Sequence, residues 1–238
     1  MRSHNKPNEI QYILYYDVSC PFCRQIRILM EENSLSFKLL RFNRYKSEEE
    51  NTKNYFSHNF TGKNPLIGIK LNNTDMVYAY GIWHCINLVN IKQTGLIPID
   101  FKQKILTNNI LTLINTNFYD EVVSKIIYEK IIKYFISKAV PNSILLNQSR
   151  KNLEKYLKVF TQLVNVNTKI TSEDLSLSDI ALFSHLSILD YINEINWSDN
   201  FLLKEWYLIL KSKPSFRSIL NDFISGFAPS HTYKSLDF

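Results

Sequence analysis

Ser19-Cys20-Pro21-Phe22-Cys23 is the stretch on which the reading of this chain turns. The apolar run Tyr12-Ile13-Leu14-Tyr15-Tyr16 precedes it. Phe22, Ile26, Leu29 and Met30 follow at the i, i+4, i+7, i+8 spacing of one helix face. The order is strand, turn, helix, with a CxxC at the joint. A thiol at a helix N-terminus meets the positive end of the helix dipole and N–H groups that lack helical partners, and both favour its thiolate. A CxxC at such a joint in a cytosolic chain reads as a thioredoxin-like redox or thiol-binding site.

Upstream, residues 1–9 are polar and are expected to form a flexible N-terminus. A strand over 10–17 and a second over 37–42 flank the helix, which makes a right-handed βαβ unit. Residues 45–58 read as a loop and an irregular helix. Asn59 to Ile67 then carries a turn at Gly62 into Pro65, at the head of a strand over 65–71. Proline is tolerated at that first position, where a cis bond is also open to it. Asn72-Asn73 suits a primed hairpin turn. A short strand and a helix near 80–90 complete a thioredoxin-like α/β domain over 10–92.

After a linker with Gly95 and Pro98, residues 99–224 read as all-helical. Helix is expected over 100–138, with Glu129 and Lys133 paired at i,i+4, and again over 144–164 after the break at Pro141-Asn142. Residues 165–174 form a polar loop. Ser176 and Asp179 then make a capping box, with Asp in the usual Glu place, and Leu175 and Ile180 make its hydrophobic staple. The helix that follows is apolar nearly all round, which places it at the centre of a bundle. Leu203, Trp206, Tyr207 and Leu210 mark one more amphipathic helix before Pro214, and a last short helix covers 215–223. The tail, 225–238, has no periodicity.

Composition bounds the function. The chain has 238 residues, 45% hydrophobic, enough for a sizeable core. Three cysteines are too few for a secreted disulfide scaffold. No signal peptide or membrane span is visible, so a cytoplasmic protein is expected. The net charge of +6 favours an acidic partner, but the lysines are spread along the chain, which argues against nucleic acid. No HExxH and no His/Cys ligand spacing points to a metal. Thr61-Gly62-Lys63 lacks the context of a phosphate loop.

The whole pattern, over about residues 10–224, resembles the glutathione S-transferase superfamily: a CxxC-bearing βαβ–ββα unit, a proline before the third strand, a linker, and a helical half with a capped, buried helix. His185-Leu-Ser-Ile-Leu-Asp-Tyr191, Asn196-Trp197, Trp206-Tyr207 and Lys213-Pro214-Ser215-Phe216-Arg217-Ser218-Ile219-Leu220 resemble an alphaproteobacterial cell-division branch of it. The resemblance implies an α/β thioredoxin-like domain followed by an all-α domain, in a dimer that binds FtsZ filaments without catalysis. It also implies three features that hold glutathione. A Ser, Tyr or Cys at the tip of the first helix is matched by Cys20 or Ser19. The residue before the proline is Asn64, ahead of Pro65. An acidic-plus-Ser pair opening the third helix would fall, counting back from Ile82, at Tyr78 and Ala79, and neither can replace it. Two buried ligand groups left unpaired at about 1–3 kcal/mol each weaken binding by two or more decades. The alternative is a transferase or thiol transferase with glutathione as cofactor, using Cys20 and resolved by Cys23. Cys23, Cys85 and His185 are expected to be structural. Leu236, Asp237 and Phe238 end a tail that is either frayed or a partner-binding strip.

Overall fold

A computed structural model describes residues 10–41, 65–71, 77–89, 95–166, 170 and 174–235. The expected flexible N-terminus, the irregular segment 45–58, Asn64, the Asn72-Asn73 turn and Leu236, Asp237 and Phe238 lie outside the described residues.

Strands β1 (Ile10–Tyr16), β2 (Phe37–Arg41), β3 (Leu66–Leu71) and β4 (Val77–Tyr80) form one sheet in the order β2-β1-β3-β4. β1 runs parallel to β2, with Tyr12 opposite Phe37, and antiparallel to β3. β4 runs antiparallel to β3, with Ile67 opposite Ala79. Strand alternation puts Tyr12, Leu14, Tyr16 and Ile67 on one buried face. Helix α1 (Pro21–Glu32) links the parallel pair and buries Phe22, Ile26, Leu29 and Met30. Pro21 opens it, at a position whose N–H has no helical partner in any case. Helix α2 (Ile82–Val89) follows β4.

The remainder is helical. Residues 101–137 form one continuous run, α3, the first of the one-or-two-helix arrangements that the sequence allows. Asp100 caps it, its carboxylate accepting the Gln103 N–H at 2.9 Å. Two stretches, Ile114–Val123 and Tyr128–Ile132, widen to π-helix. There the N–H bonds reach five residues back, as from Ser124 to Tyr119. Lys138, at φ +55°, ends the run. The Glu129–Lys133 pair forms at 2.9 Å, and the same carboxylate accepts the Asn142 N–H at 2.7 Å. That bond ties the corner to the start of α4 (Ser143–Val166).

Helix α5 (Leu177–Tyr191) is buried at every residue. Its capping box forms as the sequence predicts: Ser176 Oγ accepts the Asp179 N–H, and Asp179 accepts the Ser176 N–H at 2.9 Å. Asp179 also takes the Ser176 hydroxyl at 2.7 Å and, on its other oxygen, the Ile170 N–H and Trp206 Nε1–H, each at 3.1 Å. Trp206 belongs to α6 (Phe201–Lys211), which α7 (Pro214–Arg217) and a 3₁₀ turn, Ser218–Asn221, follow.

Helix α1 packs on α5, which joins the sheet to the bundle. The buried Arg24 donates to the Val18 carbonyl at 3.0 Å and to Ser187 Oγ at 2.8 Å. Asp222 accepts from the Tyr16 hydroxyl, from Arg27 at 3.2 Å and from Arg41 at 3.5 Å. The described part of the tail, through residue 235, packs against this junction. Ser230 caps the one-turn helix α8 (His231–Lys234). The buried Tyr233 donates to the Ile219 carbonyl at 2.8 Å, and Lys211 donates to the carbonyls of Thr232 and Ser235.

Asp179→Ala removes the acceptor of four bonds in a fully buried place, so a loss of about 3 kcal/mol or more is expected in urea unfolding. Ser176→Ala, which removes one cap, is expected to cost about 1 kcal/mol.

Candidate functional site

The joint between β1 and α1 is built by its own backbone. The Cys20 N–H bonds the Asp17 carbonyl at 3.1 Å. The Asp17 carboxylate accepts both the Ser19 N–H at 2.8 Å and the Ser19 hydroxyl at 2.7 Å. Ser19 is buried, and its hydroxyl is directed at Asp17. Cys20 is the N-cap of α1, its sulfur accepting the Cys23 N–H at 3.4 Å. Its residue surface is only 4% exposed. Cys23 is buried against the Tyr15 carbonyl, 3.8 Å from its sulfur. The thiol pair therefore sits beneath the surface at the helix tip, as part of the cap.

Pro65 is buried beside the start of α2. Its carbonyl accepts the Gly81 N–H at 3.1 Å and faces the Cys85 thiol at 3.6 Å. Burial pushes that thiol up to about 12, and it also donates to the Ala79 carbonyl at 3.4 Å. Cys85 is thus a packing residue with no thiolate at neutral pH.

Tyr78 and Ala79 do not open the helix. Both lie inside β4, paired with Gly68 and Ile67. Alternation sets Ala79 on the face of Leu14 and Ile67 and sends Tyr78 to the other face. There its ring lies 6.2 Å from that of Tyr15. Burial, then Tyr78, pushes the Tyr15 hydroxyl up to about 12. The strand runs on to Tyr80, and Gly81 makes the turn at φ +95°, a conformation that only glycine adopts without strain. The residues that open α2 are Tyr80, Gly81 and Ile82, two positions later than counting from the sequence gives. None of them carries a carboxylate, so the change of register leaves the absence of the acidic-plus-Ser pair as it was.

A cleft of about 400 Å³ runs past this opening, lined by Phe22, Tyr80, Trp83 and His84 on one side and by Asn115, Tyr119 and Asp120 of α3 on the other. The first π-helical stretch supplies that second wall. No Lys or Arg stands among these lining residues, and Asp120 is their one carboxylate. Among the described lining residues, a tripeptide with two carboxylates finds no Lys or Arg.

His185 lies under this wall, fully buried, its ring edge-on to Phe22 and Tyr119. Nδ1 donates to the Ala181 carbonyl at 2.9 Å, and Nε2 has no partner. Burial pulls its pKa down to about 4, too low for a general base near neutrality and suited to a neutral core residue. Composition gave no sign of this aromatic cage. The place of His185 inside an apolar helix did.

No protein-family model matches the chain. FtsZ-localized protein A of Caulobacter vibrioides (strain NA1000 / CB15N) is 29% identical over 222 residues, 92% of this chain and 94% of that protein. Among solved structures, FzlA from C. crescentus superposes with a TM-score of 0.87 at 26% identity, covering 96% of this chain and all of that one. A glutathione S-transferase from Sinorhizobium meliloti 1021 gives a TM-score of 0.82 at 24% identity over the same share of both chains. One from Rhodospirillum rubrum F11 gives 0.84 at 25%, over 95% of this chain. The chain is a protein of glutathione S-transferase fold close to FtsZ-localized protein A.

The folded pKa of His185 lies below its unfolded value, so its contribution to stability is lost as pH falls from about 6.5 to about 4. The full loss is about 3 kcal/mol. His185→Phe is expected to lose less stability than the parent between neutral pH and about pH 4, measured by urea unfolding at each pH.

Proposed function

We propose that this chain is a cell-division factor that binds FtsZ filaments as a dimer and does not transfer glutathione. Similarity to FtsZ-localized protein A across 92% of the chain is the observation that carries this reading. The site supports its second half: Tyr80, Gly81 and Ile82 open α2 without the carboxylate that would hold an ammonium. Cys20 and Ser19 are buried, and the described residues that line the cleft include no Lys or Arg.

A two-fold dimer presents each filament-binding surface twice, and doubled contact raises avidity without new chemistry. Val77 on the edge strand, Tyr80, Trp83 and Phe101 are exposed apolar residues of the kind that a second copy would cover. Leu236, Asp237 and Phe238 are kept in this reading as a partner-binding strip. The protein acts in the cytoplasm and is recruited to the division site through the filament. No helix among the described residues is long and apolar enough to cross a membrane.

The purified protein is expected to pellet with GTP-assembled FtsZ at low salt and to be lost from the pellet as salt rises. Absence from the pellet at low salt would contradict the reading. Cys20→Ser is expected to pellet as the parent does. Loss of binding in that variant would return the thiol to the centre of the function.

A further inference from the structure

The lysines look evenly spread in the sequence, yet their excess is local. Residues 124–151 hold six Lys and Arg against one acidic residue, Glu129. Folding then uses half of these charges internally. Lys130 and Arg150 pair with Glu194, and Lys133 pairs with Glu129. Lys125, Lys138 and Lys151 meet no carboxylate among the described residues. Lys138 Nζ lies instead 4.1 Å from the centre of the Tyr134 ring.

The same region holds an apolar groove of about 400 Å³ between the second half of α3 and the first turn of α4. Tyr119, Lys125, Tyr128, Ile132 and Leu145 line it. The π-helical stretch 128–132 forms part of that wall. The floor is fixed, because Glu129 is buried and holds both Lys133 and the Asn142 N–H of the corner. Tyr128 and Leu145 are about half exposed. In the adjoining chain Ile136, Val140 and Ile144 are 64%, 83% and 78% exposed. Aliphatic and aromatic side chains left in water on this scale, bordered by cations, mark a surface for a partner.

We propose that this groove docks an acidic amphipathic segment of a partner protein. Apolar anchors of that segment would fill the space between Tyr128, Ile132 and Leu145, and its carboxylates would meet Lys125 and Lys138. This is the groove mode of peptide recognition, with apolar contact giving affinity and the charged rim giving orientation and selection against basic segments. The groove shares only Tyr119 with the described lining of the cleft at the α2 opening, and the proposal holds whether or not the partner is a filament.

The test uses fluorescence anisotropy of a labelled heptapeptide made of four glutamates, two leucines and a phenylalanine, titrated with the full chain. Saturable binding is expected, weakening about tenfold or more as salt rises from about 0.05 M to about 0.5 M. Leu145→Asp and Lys125→Glu, both at exposed positions, are each expected to weaken it about tenfold or more. The same peptide with lysines for glutamates is expected not to bind. Absence of saturable binding by the parent protein, equal binding by parent and both variants, or equal binding of the basic peptide would overturn the proposal. So would binding to anionic lipid vesicles with none to the peptide, which would assign the patch to a membrane surface.

Discussion

The carboxylate of Asp179 is the constraint on which the rest of the structure depends. It has four donors in a fully buried place: the backbone N–H and hydroxyl of Ser176, the Ile170 N–H, and the indole of Trp206. These bonds fix the start of α5, the one long helix among the described residues whose every residue is buried. Such a helix has no wet face to set its rotation, so the cap and the staple must do it. Once α5 is placed, α1 lies on it through Arg24 and Ser187, and the sheet follows α1. The position of Cys20, the candidate thiol, is therefore set by a carboxylate more than 150 residues further along the chain.

A shared fold can carry different functions, because the scaffold and the side chains that act on a ligand are separable. The scaffold needs α1, α5 and the turn at Pro65. Catalysis needs a few side chains added at the edges: a reachable thiol or hydroxyl, and a carboxylate where α2 begins. Among the described residues the candidate groups are turned inward, and no carboxylate stands where α2 opens. Ser19 serves Asp17, Cys20 serves the helix cap, Cys85 packs under Pro65, and Gly81 occupies the turn. A buried neutral histidine among aromatic rings completes a core and gives no base.

Legibility in the sequence followed the range of the interactions. The capping box, the Glu129–Lys133 pair, the apolar helix and the strand–helix joint at Cys20 are local, and each pattern of a few residues was sufficient to place it. What could not be read depends on groups far apart in the chain. The Trp206 and Ile170 bonds of Asp179 and the grip of Lys211 on the tail are contacts between distant segments. The helix near 80–90 is where the sequence puts it, but Tyr78 and Ala79 fall inside β4, because counting back from Ile82 carries no information about where a strand ends. The π-helical turns that shape both the cleft and the groove have no composition signal. The clustering of unpaired cations appeared only when Glu194 and Glu129 were seen to neutralise their neighbours.

We infer that a transferase scaffold is retained here without a working thiol-ligand site. Calorimetric titration of the purified chain with reduced glutathione tests it most directly. The account predicts no saturable heat up to about millimolar ligand, since two unpaired ligand groups remove two or more decades of affinity. A saturable isotherm with a dissociation constant well below about 1 mM, abolished by Cys20→Ser, would contradict it.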